Sequence, residues 1–228
     1  MKTAIVSIKS NYAVQRFQRH LLLAVVAASI VCLVYFATPP PDFRHRFSMG
    51  TAYAALVFLA ATLWLGPWHI LRKRPNPVSF DLRRDLGIWA GVLAILHTAV
   101  GLTVHLRGRM WMYFFKHLHP LKVQNNQFGL ANYTGLVAAL LFLLLLVISN
   151  DVSLRKLGTR TWKSLQRWTY LAAALSILHG IVFQLIEKRR LAWLVFFYAV
   201  IAGVVLIQAI AFLQTKKKSS ILRRSMRP

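Results

Sequence analysis

The stretch LAWLVFFYAVIAGVVLIQAIAFL, residues Leu191–Leu213, is apolar throughout except for Gly203 and Gln208. A helix rising about 1.5 Å per residue needs roughly 20 such residues to cross the hydrocarbon core of a bilayer. Leu21–Ala37 repeats the pattern, broken only by Ser29, and four further blocks follow it at about 48–70, 85–106, 131–149 and 167–186. Any one of them alone could be the buried helix of a soluble core. Six of them in 228 residues, 57% of which are hydrophobic, leave no polar sequence to cover them. The reading is an all-α, polytopic membrane helix bundle of about six transmembrane helices, forming a single membrane domain over residues 1–228.

The first block follows basic residues, as the apolar region of a signal peptide would. It is longer than the usual 7–15 residues of such a region, however, and about 20 residues precede it, so an uncleaved helix is expected. Cys32, the single cysteine, lies inside this block, which rules out a disulfide framework and covalent haem attachment through a CxxCH motif.

A formal charge of +24 would suit nucleic acid, but the positions of the charges speak against it. Lys2, Lys9, Arg16 and Arg19 precede the first span, and Arg72, Lys73, Arg74, Arg83 and Arg84 join the second to the third. Arg155, Lys156, Arg160, Lys163 and Arg167 join the fourth to the fifth, and Lys216, Lys217, Lys218, Arg223, Arg224 and Arg227 end the chain. These alternate connections hold 20 basic residues, and the others hold 9. The positive-inside rule therefore puts both termini in the cytoplasm, in agreement with an even number of spans, and the expected location is the inner (plasma) membrane. The partners implied are the lipid bilayer and its anionic headgroups, with no nucleic acid.

Punctuation is sharpest at Pro39-Pro40-Pro41 and Pro75-Asn76-Pro77. The longest outer connection runs from Arg107 to about Leu130, and its Met110–Phe115 stretch reads as an interfacial segment with aromatic anchors. The chain carries no convincing internal repeat, so a transporter built from inverted repeats gains no support. It also lacks a phosphate-binding glycine loop and a paired acidic site. The five acids, Asp42, Asp81, Asp85, Asp151 and Glu187, avoid the middle of every span, which argues against a carboxylate proton relay.

Ionisable groups inside a bilayer are costly, so each is a functional candidate. Of eight histidines, His20, His45, His69, His105, His117 and His119 fall near helix ends or in connections, and His97 and His179 lie deep in spans. The third and fifth spans should run in the same direction. His97 is 13 residues past Arg84 and His179 is 12 past Arg167, which places them roughly 20 and 18 Å into the membrane. Two imidazoles at one depth on parallel helices could clamp a haem iron from opposite sides. Gly91, Ala94, Thr98, Gly101, Ala172–Ala174, Ser176 and Gly180 would leave room for the porphyrin. Interhelical hydrogen bonding and close packing of small residues explain the same pattern, and spacing alone leaves both readings open.

Arg83-Arg84-Asp85-Leu86-Gly87-Ile88-Trp89 with Leu96-His97 resembles the third helix of the ferric reductase-like transmembrane family. Leu157-Gly158, Trp162–Leu171 and Leu178-His179 resemble a later helix of it, and Gly50-Thr51 and Gly66-Pro67 also fit. The resemblance covers about residues 48–186 and lies nearest the branch of haem-binding membrane subunits that serve periplasmic methionine sulfoxide reductases. It implies a b-type haem, with His97 and His179 as cofactor-binding residues and iron ligands. Two-haem relatives place a second histidine 13 or 14 residues before each ligand. Arg83, Arg84, Leu165 and Gln166 occupy those positions here, so one haem per chain is expected. In the sulfoxide reductase branch the position of Gln166 is usually histidine.

The resulting expectation is a haem b electron-transfer subunit whose haem lies nearer the outer face, since His97 is 10 residues short of Arg107. Electrons would come from a membrane quinol or a separate reductase. They would pass to an outer-side acceptor, either a periplasmic redox partner protein or ferric iron. The residues do not display a quinone or flavin site. Arg107 and Arg109 are candidates to pair with haem propionates, or are ordinary boundary charges. His117 and His119 form an H-x-H that could touch a metal, or are simply solvated. The alternative class is a cofactor-free small permease or assembly factor.

Overall fold

Inside a bilayer the backbone has no water to bond, so an apolar span must satisfy its own N–H and C=O groups by forming a helix. The computed structural model, which describes residues 2–39, 42–72 and 80–225, obeys this rule. Helices α1 (Lys2–Ala37), α2 (Phe43–Leu71), α3 (Phe80–Gly101), α4 (Gln127–Ile148), α5 (Asp151–Gln166), α6 (Trp168–Ile186) and α7 (Leu191–Ser225) make up most of the chain. Pro40, Pro41 and Pro75-Asn76-Pro77 lie outside the described residues. The protein is an all-α polytopic membrane bundle. Its outward faces carry large apolar side chains, such as Leu33, Phe36, Leu185, Leu206 and Phe212, which a bilayer would cover.

Among the described residues, five helical stretches are long and apolar enough to cross a membrane: Tyr12–Ala37, Phe43–Leu71, Gln127–Ile148, Asp151–Ile186 and Leu191–Lys217. The sixth expected span corresponds to α3. At 22 residues it equals α4 in length, but Asp81, Arg83, Arg84 and Asp85 crowd its first turns and reduce its apolarity. The protein compensates for those charges itself. α3 lies between α2 and α4, and the Asp85 side chain is wholly buried against α1.

That burial creates an ion-pair network at one end of the bundle. Arg19 Nε lies 2.7 Å from Asp85 Oδ2, Arg16 Nη2 lies 3.4 Å from Oδ1, and His20 Nε2 lies 3.3 Å from Oδ1. Arg84 pairs with both Asp81 and Asp151. The middle of α1 and the starts of α3 and α5 therefore share one end, called here the near end. At the far end His105, just past α3, pairs at 3.0 Å with Glu187, just past α6. With Arg84 joining their starts through α5 and this pair joining their ends, α3 and α6 run in the same direction.

Two connections carry secondary structure of their own. The connection before the fifth span is not a loop but α5, an amphipathic helix that bends at Gly158 (φ 72°) and continues into α6. Its basic, apolar-poor sequence suits an interfacial position. The Met110–Phe115 stretch also has a defined backbone. It forms a 3-10 turn over Met110–Tyr113 and enters a hairpin of β1 (Phe115–His117) and β2 (Lys122–Val123). Tyr113 is buried, donates to the Gly101 carbonyl at 3.0 Å and accepts from the His105 N–H at 2.8 Å, which fastens the connection to the end of α3.

Candidate functional site

Helices α3 and α6 face each other across a cavity, and α4 packs against both and holds them apart. His97 and His179 line this cavity with ring centres 6.1 Å apart and ring planes at 73°. Equal depth on parallel helices thus becomes actual proximity.

Neighbouring helices set each ring. His97 Nδ1 lies 3.0 Å from the Ser48 carbonyl oxygen and 3.2 Å from Ser48 Oγ, both on α2. His179 Nδ1 lies 2.8 Å from the Ala131 carbonyl oxygen on α4. A carbonyl only accepts, so Nδ1 carries the proton in each neutral ring. The lone pair is left on Nε2, and backbone atoms that cannot rotate away hold the rings in place. A histidine metal ligand is oriented in the same way, by a hydrogen bond from its second nitrogen.

His179 can approach α4 this closely only because residue 135 is glycine. A Cβ there would come within 2.5 Å of His179 Nδ1. Phe183, one turn further along α6, packs tilted against His179 with ring centres 4.8 Å apart and reaches Phe128 at the start of α4. Of the small residues expected to make room, Ala94, Thr98, Gly101, Ser176 and Gly180 line the cavity. Gly91 and Ala172–Ala174 do not. Gly91 admits Leu146, Ala172 and Ala173 are buried in the core between helices, and Ala174 is exposed. Spacing indicated which residues were small but not the direction each one faced.

At the far end the cavity meets a polar cluster. Arg189 Nη1 donates to His45 Nε2 at 2.9 Å, and Glu187 takes His105 at 3.0 Å and Arg189 more loosely at 3.9 Å. The His105 hydrogen bond, with help from Arg189, holds the Glu187 carboxyl below the usual glutamate range. Burial lowers the Arg189 guanidinium and raises the Tyr113 phenol. Arg107 and Arg109 are exposed and line no part of the cavity. His117 and His119 are exposed at the hairpin, and no cluster of three or more metal-ligating side chains occurs among the described residues.

At the near end the residues that replace second-site histidines are already engaged. Arg84 belongs to the ion-pair network, and Gln166 Nε2 donates to Ser149 Oγ at 3.3 Å. His69 is buried, with Nδ1 against the Leu65 carbonyl of its own helix.

Residues 48–177 match the family described as the ferric reductase like transmembrane component. The chain belongs to that family. The matched stretch contains His97 and stops two residues before His179. Among curated proteins, the chain is similar to the protein-methionine-sulfoxide reductase heme-binding subunit MsrQ of Salmonella paratyphi B and of Salmonella newport. Each is 31% identical over 145 residues, a match covering 63% of this chain and 64% of the relative. The match thus spans somewhat less than two thirds of those relatives' length.

Proposed function

We propose that this protein is a haem b membrane subunit that passes single electrons across part of the bilayer. In this reading His97 and His179 would hold the iron of one haem. The observation that carries it is the facing imidazole pair, each with Nδ1 bonded to a fixed backbone carbonyl and Nε2 left with its lone pair. The two rings, with centres 6.1 Å apart, are close enough for both Nε2 atoms to hold one metal ion between them. The relatives named as heme-binding subunits of a methionine sulfoxide reductase point the same way.

When bound, haem with two histidine ligands supplies reversible one-electron chemistry without an open coordination site for substrate. The protein's part is ligation, burial and access. Ser48 and Ala131 fix the two rings, Gly135 lets α6 close on α4, and apolar spans keep water from the iron site. The uneven charge of the connections puts the near end in the cytoplasm. Electrons then enter from a membrane quinol or a separate reductase and leave at the far end to a periplasmic redox protein or ferric iron. One haem per chain follows from the engaged Arg84 and Gln166, neither of which is a useful iron ligand.

The test is the reduced spectrum and pyridine haemochrome of the purified chain. The expected result is a bis-imidazole spectrum at one haem per polypeptide. Colourless protein from haem-replete cells would sink the reading, and a ratio near two would reveal a second site at the near end.

A further inference from the structure

A porphyrin with propionate side chains brings two carboxylates into a membrane cavity, and they need cationic or hydrogen-bonding partners. Among the described residues that line the cavity there is one arginine, Arg189, no lysine and no carboxylate. Lys188 takes a left-handed backbone conformation (φ 46°), which reverses the chain just after α6, and the Arg189 N–H bonds back to the Gln184 carbonyl. Arg189 lines the cavity, whereas its neighbours Lys188 and Arg190 line only the outer vestibule.

The guanidinium there is incompletely matched. It has five N–H donors. One goes to His45 Nε2, and the acid that pairs with it among the described residues, Glu187, is 3.9 Å away and bonded more closely by His105. Arg189 follows His179 by 10 residues, and the helical stretch to Ile186 covers roughly 10 Å before the chain reverses, so Arg189 sits roughly 10 Å further along the bundle. That distance suits carboxylates at the edge of a macrocycle rather than a group at its centre.

We propose that Arg189, flanked by His45 and His105, receives the haem propionates at the far end of the cavity. The inference rests on the haem reading above and assigns the carboxylate end of the same site. It replaces Arg107 and Arg109, which are exposed and line no part of the cavity. A lipid phosphate could offer Arg189 the same anionic chemistry, and the experiment separates the two sources.

The full chain, purified from haem-starved cells, is titrated with hemin and with hemin dimethyl ester, whose propionates carry no charge. Spectral binding curves are recorded for each. Wild type should bind hemin about tenfold or more tightly than the ester, the scale of a charge-assisted hydrogen bond. Arg189→Met should bring the two ligands within about threefold, Arg189→Lys should restore part of the difference, and Arg107→Met with Arg109→Met should behave as wild type. Equal binding of both ligands by wild type, with an intact bis-imidazole spectrum, would overturn the propionate assignment and leave His97 and His179 standing. So would full discrimination retained in Arg189→Met, the outcome if Arg189 serves a lipid phosphate. Failure of wild type to give a bis-imidazole spectrum with either ligand would overturn the haem reading and this inference with it. The wild-type comparison needs no variant, so the test survives a substitution that does not fold.

Discussion

Histidines 97 and 179 are distinguished from the other six by what surrounds them rather than by residue type. His45 and His105 also line the cavity, but His97 and His179 are the pair whose Nδ1 is held by a carbonyl on a neighbouring helix. His97→Ala or His179→Ala should reduce haem content of the purified protein to near zero, while His117→Ala and His119→Ala, at the exposed hairpin, should leave it unchanged. Full haem content in His97→Ala would end the ligand assignment. Gly135 gives a second test that touches no ligand atom. A side chain there meets His179 Nδ1 within 2.5 Å, so Gly135→Val must push the ring off the Ala131 carbonyl. Overpacking of this kind costs about 1–3 kcal/mol, and haem affinity should fall about tenfold or more in the same titration. Unchanged affinity would mean that α4 yields freely and does not set the ring.

Helix α1 precedes residue 48, where the family match begins, yet the structure docks it by a buried acid. Asp85 has no exposure and meets Arg16, Arg19 and His20, all on α1. Removing one partner of a buried ion pair leaves the others uncompensated, typically at 3–5 kcal/mol. Arg16 and Arg19 are about a quarter exposed and can recover water, so a smaller cost of about 1–3 kcal/mol is expected. Asp85→Asn should lower the thermal midpoint in detergent by roughly 5 °C. Haem ligation should survive, because the network lies three helical turns from His97 on α3. A midpoint unchanged from wild type would show that apolar contacts, among them Gly50 against the Val31 backbone, hold α1 without the charges.

Across the whole molecule the governing quantity is the distribution of charge between the two ends of the bundle. The near end gathers Asp81, Asp85 and Asp151 inside an excess of arginine and lysine, while the far end holds Asp42 and Glu187 among nine basic residues. Cytoplasmic retention of the more basic side gives a topology that reporter fusions can read. Fusions after residue 228 and within 155–163 should report cytoplasm, and fusions within 115–125 the outer side. A cytoplasmic report near residue 120 would invert the bundle and turn the Arg189 end, with its vestibule, toward the cytoplasm.

Sequence by itself determined the class of the fold, most of the spans and the depth of the two candidate ligands. Each of these depends on consecutive residues: hydropathy accumulates along a run such as Leu191–Leu213, and depth follows from helical rise past Arg84 and Arg167. Only the tertiary structure decided which faces meet. Helix rotation and the choice of neighbours put Gly135 under His179 while turning Gly91 to Leu146. They also buried Asp85 against α1 and placed Arg189, not Arg107 or Arg109, at the cavity's end. In uniformly apolar spans most faces look alike in sequence, because lipid and protein interior reward the same side chains. The partners of a histidine, an aspartate or an arginine are therefore set by long-range packing, such as the α4 contact with α6 that brings the Ala131 carbonyl to His179.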